Sequence, residues 1–158
     1  AADIDPTHYG YEVWGSVGGL YDCKGNQISA TRPRSMNFAV WWDGDLTREL
    51  LDGNHVDKWD YQNGQLVRLF TAEGCSSNNG TKATPAVSAD LFGDWREEVV
   101  LKKSDSSALR IFTTTIPTTY KMPTLMHDAQ YRVAIAWQNS GYNQPPHPSY
   151  YLGEVAPK

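Results

Sequence analysis

Cysteine is scarce: Cys23 and Cys75 are the only two. That is too few for the disulfide framework of a small secreted scaffold or for a cysteine-rich zinc site, and compatible with one bridge or two free thiols. Basic runs are missing as well. The 14 Lys and Arg are outnumbered by 18 Asp and Glu, for a net charge of −4, so the phosphate attraction behind nucleic-acid binding is absent and nucleic acid is excluded as a partner. No apolar window approaches the roughly 18 to 20 residues of a membrane-spanning helix. The four histidines, His8, His55, His127 and His147, lie far apart, which leaves neither a zinc spacing nor a hydrolytic triad to argue. The opening Ala-Ala-Asp-Ile-Asp-Pro has neither the basic nor the apolar part of a leader, although a mature exported protein would have lost one.

Helical periodicity is also nearly absent. LTRELL at 46 to 51 and TLMHDAQ at 124 to 130 offer a turn or two each. What the chain has instead is 13 Gly, 9 Pro, 6 Trp and 9 Tyr, a mix suited to short strands joined by turns, and the expected class is all-β. Strand-like runs recur at YEVWGSV (11 to 17), NFAVWW (37 to 42), HVDKWDY (55 to 61) and QLVRLF (65 to 70). They continue at TPAVSAD (84 to 90), EEVVLK (97 to 102), ALRIFTTT (108 to 115) and YRVAIAWQ (131 to 138), with SYYLG (149 to 153) closing the set. In YRVAIAWQ, Val133, Ile135 and Trp137 alternate as on one face of a strand. KSDSS between EEVVLK and ALRIFTTT has the length and polarity of a hairpin loop.

Laid on itself, the chain repeats. WWDGDLTRELL at 41 to 51 and DLFGDWREEVV at 90 to 100 share a GDxxxE core followed by two apolar residues, at an offset of 49. A repeat of about 50 residues made of short strands is the pattern of β-propeller blades. The 158 residues then make about three blades, approximately 1–50, 51–102 and 103–158, fewer than the roughly 4 to 8 that close a ring. The expectation is a segment of a larger propeller, held by its remaining blades or paired with copies of itself through open edge strands. A small β-sandwich is the other arrangement this length permits.

The repeats carry acids. Asp90, Asp94 and Glu98 surround a bend at Gly93, with Phe92 able to offer its carbonyl, as a calcium loop requires of hard oxygen ligands. Asp43, Asp45 and Glu49 hold the same register in the first repeat, with Trp41 where the first acid would stand. Asp3, Asp5 and Glu12 form a third cluster. Alone, each reads first as an acid-rich turn that solvates a loop or caps a strand. Repetition favours calcium, bound as a structural staple. None is an EF-hand, since strands rather than helices follow. The polar loop SSNNGTKATP at 76 to 85 contains one cation, Lys82, which by pattern alone is a solvated lysine. WQNSGYNQPPHP at 137 to 148 offers amides, a tyrosine and prolines, suited either to sugar hydroxyls or to structural closure.

LFGDWREEVVLKKSDSSALRIFTTTIPT and YKMPTLMHDAQYRVAIAWQNSGYNQPPHPSYYLG closely resemble the C-terminal part of bacterial rhamnogalacturonan lyases of polysaccharide lyase family 11. DIDPTHYGYEVW and WWDGDLTRELLDG resemble the same family, so the likeness covers nearly the whole chain. The resemblance implies an eight-bladed, calcium-rich propeller that cleaves the rhamnose–galacturonate backbone of pectin by β-elimination, acting outside the cell on a polymer too large to enter it. It implies that Asn79, Gly80, Thr81 and Tyr142 contact the polysaccharide. Asn139 by its side chain and Gly141 by its carbonyl resemble ligands of a cleft calcium. Asp90, Phe92, Asp94 and Glu98 match a structural calcium loop. Lys82 as base and Tyr142 at the leaving oxygen are the catalytic expectations. The competing expectation is a calcium-stabilised propeller segment that binds carbohydrate or mediates adhesion without catalysis. The two part on whether Asn79, Lys82, Asn139 and Tyr142 converge on one cleft.

Overall fold

The structure, a computed structural model, describes residues 1–140 and 144–156. It is built of β-sheets with few helices. A two-stranded ribbon pairs β1 (Leu20–Tyr21) with β2 (Gln27–Ser29). An antiparallel meander follows, made of β3 (Phe38–Val40), β4 (Glu49–Asp52), β5 (His55–Asp60) and β6 (Gln65–Thr71) in sequence order. In the second sheet β9 (Glu98–Lys103) is central, with β10 (Leu109–Phe112) on one side. On its other side β8 (Val87–Ala89) and β7 (Cys75–Ser76) pair with successive stretches of β9. The polar KSDSS loop does close the β9–β10 hairpin.

The alternating side chains of the meander fill two cores. Phe38, Val40, Leu51 and Val56 face the second sheet, meeting Cys75, Val99 and Leu101. Ala39, Leu50 and Trp59 face the N-terminal segment, meeting Ala2, Ile4 and Leu20. With both faces covered, β3 is buried at every residue. A third core of Trp41, Trp95, Leu125, Tyr131 and Leu152 seats the C-terminal segment against the two repeats. Cys23 is exposed, Cys75 is buried, and they are not bonded to one another.

Three strand assignments and one helical one need correction. The run at 131 to 138 is α1 (Ala129–Ala136), not a strand. Tyr131 and Ala134 are its buried residues, three apart as one helical face requires, while Val133 and Trp137 stay half-exposed. Asp128 decides the matter locally, because its carboxylate accepts the Tyr131 N–H at 3.0 Å and caps the helix. LTRELL forms no helix, since Glu49 already begins β4. SYYLG leads into a short helix, α2 (Leu152–Val155). The 11 to 17 run makes only isolated bridges, at Glu12 and Val13. Asp128 also accepts the N–H and hydroxyl of Ser149. Asp128→Ala is therefore expected to cost about 1 to 2 kcal/mol in urea denaturation, the range of a lost N-cap; Asp128→Asn should recover most of it.

Candidate functional site

Three glutamates do the same structural work. Glu49 and Glu98 open β4 and β9, and Glu12 sits on the bridge to Ala2. One carboxylate oxygen of each, Oε2, accepts two successive backbone N–H groups from the preceding acidic loop. The donors are Ile4 and Asp5 for Glu12, Trp42 and Asp43 for Glu49, and Leu91 and Phe92 for Glu98, at 2.8 to 3.1 Å. An aspartate then caps the turn two residues on: Asp5 to Thr7, Asp45 to Thr47, Asp94 to Arg96. The loops are also stitched together, Arg48 N–H to the Asp3 carbonyl and Glu97 N–H to the Trp41 carbonyl. The 3–12 cluster thus belongs to the same structural series, although its sequence spacing differs.

The other oxygen of each glutamate, Oε1, meets something different each time. At Glu49 it accepts from the Lys58 ammonium at 2.9 Å. That same nitrogen lies 2.5 Å from Asp43, 2.7 Å from Asp45 and 3.3 Å from the Thr47 hydroxyl. At Glu98, Oε1 accepts the Thr113 hydroxyl at 3.0 Å. At Glu12 it is buried with no hydrogen-bond partner, and so is Oδ1 of Asp3. Burial, reinforced by Asp3 and Asp5 and only partly opposed by the Ile4 and Asp5 N–H groups, pushes the Glu12 carboxyl up to about 7. Burial likewise pushes Asp3 up to about 6, against a bond from Tyr151 and with help from the nearby Asp45 and Asp5. Two orphaned buried oxygens beside like charges fit a cation in the 3–12 loop.

The expected ligands of the other loops are placed as follows. Asp43, Asp45 and Glu49 come together with ligand oxygens within 4.8 Å of one another, the one such acidic group among the described residues. Asp90 turns away from Glu98: its oxygens accept Gly93 N–H, Thr124 hydroxyl and Leu125 N–H at 2.6 to 2.8 Å. Asp94 pairs with Arg96 at 2.5 Å, and Phe92 is exposed. In the 90–98 loop, Asp94 and Glu98 thus bond the loop's own backbone, while Asp90 also ties the loop to the C-terminal segment.

In the second cluster, Asn79 Oδ1 accepts the Lys82 N–H at 2.6 Å and its amide reaches the Thr84 hydroxyl at 3.3 Å. Thr84 hydroxyl and Asn78 amide both donate to Asn139 Oδ1, at 3.3 and 3.1 Å. Asn139 in turn donates to the Pro85 and Ala86 carbonyls from a left-handed backbone (φ 62°) that asparagine tolerates. Asn79 and Asn139 therefore meet through Thr84. Gly80 and Thr81 form the exposed turn beside them. Lys82 is exposed and also lines a small groove of about 100 Å³ with Trp14, Asn37 and Gln144. Gly141 and Tyr142 lie outside the described residues.

The sequence reading missed the buried ion pair that joins the repeats. Arg48 and Glu97 meet at 3.0 Å with both side chains fully buried. Glu97 also accepts Trp41 N–H at 3.0 Å and the Tyr131 hydroxyl at 2.6 Å, and that hydroxyl accepts Asp90 N–H. Arg48 lies 4.1 Å over the Trp41 ring and donates to the Ala39 and Pro146 carbonyls. Burial, and then Arg48, push neighbouring His147 down to about 3, so it is a neutral acceptor. A signal existed, because Arg48 and Glu97 occupy equivalent repeat positions with opposite charge.

Residues 1–158 match the C-terminal domain of rhamnogalacturonan lyase family 11. The chain is 62% identical over 154 residues to the rhamnogalacturonan endolyase YesW of Bacillus subtilis (strain 168), covering 98% of this chain and 25% of that protein. It is 53% identical over 169 residues to the exolyase YesX of the same organism, covering 97% and 28%. Among solved structures it is similar to the Bacillus licheniformis rhamnogalacturonan lyase PL11, at 63% identity and a TM-score of 0.94, covering 99% of this chain and 26% of that one. The chain spans about a quarter of the length of the curated relatives it matches. A family match along its whole length, with structural superposition at this identity, shows that the chain belongs to rhamnogalacturonan lyase family 11 and corresponds to its C-terminal domain.

Proposed function

We propose that this chain is the C-terminal segment of a calcium-dependent β-propeller lyase that cleaves the rhamnose–galacturonate backbone of rhamnogalacturonan I, outside the cell, by β-elimination. The observation that carries the reading is the meeting of Asn79 with Asn139 through Thr84, in the loop that holds Lys82. A merely adhesive segment has no need to tie two distant polar loops together beside a lysine-bearing turn. Blades here would be the two sheets, and the exposed Val67 and Leu69 of β6 and Leu109 and Ile111 of β10 are surfaces for the rest of the ring to cover, or for a second copy. Endolytic action is favoured over exolytic: the exolyase match runs over more positions than this chain has residues, the endolyase match does not. Extra loop in a cleft is what would confine a lyase to chain ends.

The elimination removes the weakly acidic proton beside a uronate carboxylate and expels the 4-linked oxygen. Calcium, when bound, would supply Lewis-acid stabilisation of the charge that develops at that carboxylate. Asn139 and Gly141 would hold it at the cleft. Asp3, Asp5 and Glu12 would hold a second, structural ion, and Asp90, Phe92, Asp94 and Glu98 a third. Asn79, Gly80, Thr81 and Tyr142 would position the polymer, Lys82 would take the proton, and Tyr142 would serve the leaving oxygen.

The full polypeptide incubated with rhamnogalacturonan should develop the ultraviolet absorbance of an unsaturated uronate, lose that activity on calcium removal and regain it on calcium return. Binding without absorbance would establish the adhesive reading instead. Early products should be long oligosaccharides; disaccharide alone would overturn endolytic action.

The 3–12 loop gives a pH test. Without calcium, the raised Asp3 and Glu12 carboxyls hold protons more tightly folded than unfolded, so their contribution is fully present near pH 4 and is lost as pH rises to about 7. Bound calcium requires ionised carboxylates, so it should flatten or reverse that fall. Melting temperatures from pH 4.5 to 8, in metal-depleted and calcium-saturated protein, check this. Parallel curves would argue against calcium in this loop.

A further inference from the structure

We propose that Lys58 is the resident cation of the 43–49 loop and takes the place there of the calcium that the other loops of the series bind. The geometry is that of an ammonium satisfied in full. A lysine has three N–H donors, and Lys58 Nζ has three carboxylate partners, Asp43, Asp45 and Glu49, at 2.5, 2.7 and 2.9 Å. The fourth contact, to Thr47 at 3.3 Å, is the longest. These are the oxygens a hard divalent ion would use, and the nitrogen occupies the middle of them.

The repeat explains why this loop differs. In the β4–β5 hairpin, Leu50 pairs with Asp57, so Lys58 stands across from Glu49. In the β9–β10 hairpin, Val99 pairs with Phe112, so Thr113 stands across from Glu98. The same cross-strand position is a cation in one repeat and a hydroxyl in the other, and both bond the Oε1 of their glutamate. Asp43 stands where the other repeat has Phe92, and Trp41 where it has Asp90. The lysine-bearing loop therefore has a carboxylate aimed at the ammonium, whereas Asp90 of the other repeat bonds Thr124 and Leu125. Burial alone would lower the Lys58 pKa, but attraction to Glu49 and the bonds to all three acids outweigh it and hold the ammonium charged. Calcium would have to expel this tethered charge before it could bind.

This inference rests on the reading of the acidic loops as calcium loops, and the test separates the two. Calcium per polypeptide is counted after equilibration and dialysis for the full-length protein and for Lys58→Thr, which copies Thr113. The expected result is one more calcium in Lys58→Thr, with a larger rise in melting temperature on calcium addition than the wild type shows. Equal counts in the two proteins would overturn the proposal. If Lys58→Thr does not fold even in calcium, anomalous scattering from wild-type crystals grown in calcium decides: an ion between Asp43, Asp45 and Glu49 refutes it, and its absence there with ions in the other loops upholds it. A wild type that binds no calcium, beside a Lys58→Thr protein that binds one, would sink the calcium reading of the other loops and leave this proposal standing.

Discussion

Glu97→Ala is expected to destabilise the protein by about 3 to 5 kcal/mol, the cost of stripping one partner from a buried ion pair. Against a domain stability of about 5 to 15 kcal/mol, that leaves a protein close to unfolding. The size follows from what the carboxylate touches. Its loss strands the Arg48 guanidinium, which has no exposure to water, and removes the acceptor for the Trp41 N–H and the Tyr131 hydroxyl. Arg48 Nε is already buried without a partner, so the site has no spare acceptor to offer. Glu97→Gln keeps an oxygen for some of these donors but not the charge, and should fall between. The pair as a whole contributes less than either half suggests, because desolvating both ions is itself costly. The double change Arg48→Met with Glu97→Leu is therefore expected to be milder than the sum of its singles. Guanidinium denaturation in calcium measures all four. A Glu97→Ala loss under 1 kcal/mol would mean that water reaches Arg48.

Much of this architecture could be read from the sequence, and the misreadings share a cause. The offset between Glu49 and Glu98 identified two equivalent repeat positions, and both glutamates bind two loop N–H groups in the same way. The register that puts Lys58 against Glu49 was also legible. Asp52-Gly53-Asn54-His55 is a two-residue hairpin turn with Gly53 at φ 63°, and counting back from it pairs position 58 with 49. The acids were read as a linear motif, so the cation supplied by the next strand was overlooked. The same limit explains α1. Alternation of Val133, Ile135 and Trp137 satisfies a strand, but Tyr131 and Ala134 are what the third core buries. Contact with Trp41 and Trp95, from both repeats, adds to the Asp128 cap in favouring the helical face. The partners of Asp90 were hidden by the same distance, since its oxygens serve Thr124 and Leu125, more than thirty residues downstream.

Lys82→Ala should leave the fold intact and lower kcat by about 10²- to 10⁴-fold, the usual worth of a positioned proton acceptor. Fold and function separate here because the Lys82 side chain is exposed. What holds its loop is the backbone N–H bond to Asn79 and the chain of bonds from Asn79 through Thr84 to Asn139, none of which uses the amine. KM and calcium content should therefore change little. A lysine accepts a proton only as the neutral amine, a form that positive charge of the kind a cleft calcium would provide favours. Loss of calcium and loss of Lys82 should accordingly not be additive: in Lys82→Ala, removing calcium should cost less than it costs the wild type. Asn79→Ala cuts the bond that fixes the Lys82 backbone and should lower kcat in part, with Lys82 still present. Tyr142→Ala, which removes the group proposed to serve the leaving oxygen, should lower turnover without altering calcium content. Wild-type rates in both Lys82→Ala and Tyr142→Ala would place the base elsewhere in the full polypeptide. This domain would then contribute binding and calcium ligands to a reaction completed by other parts of the protein.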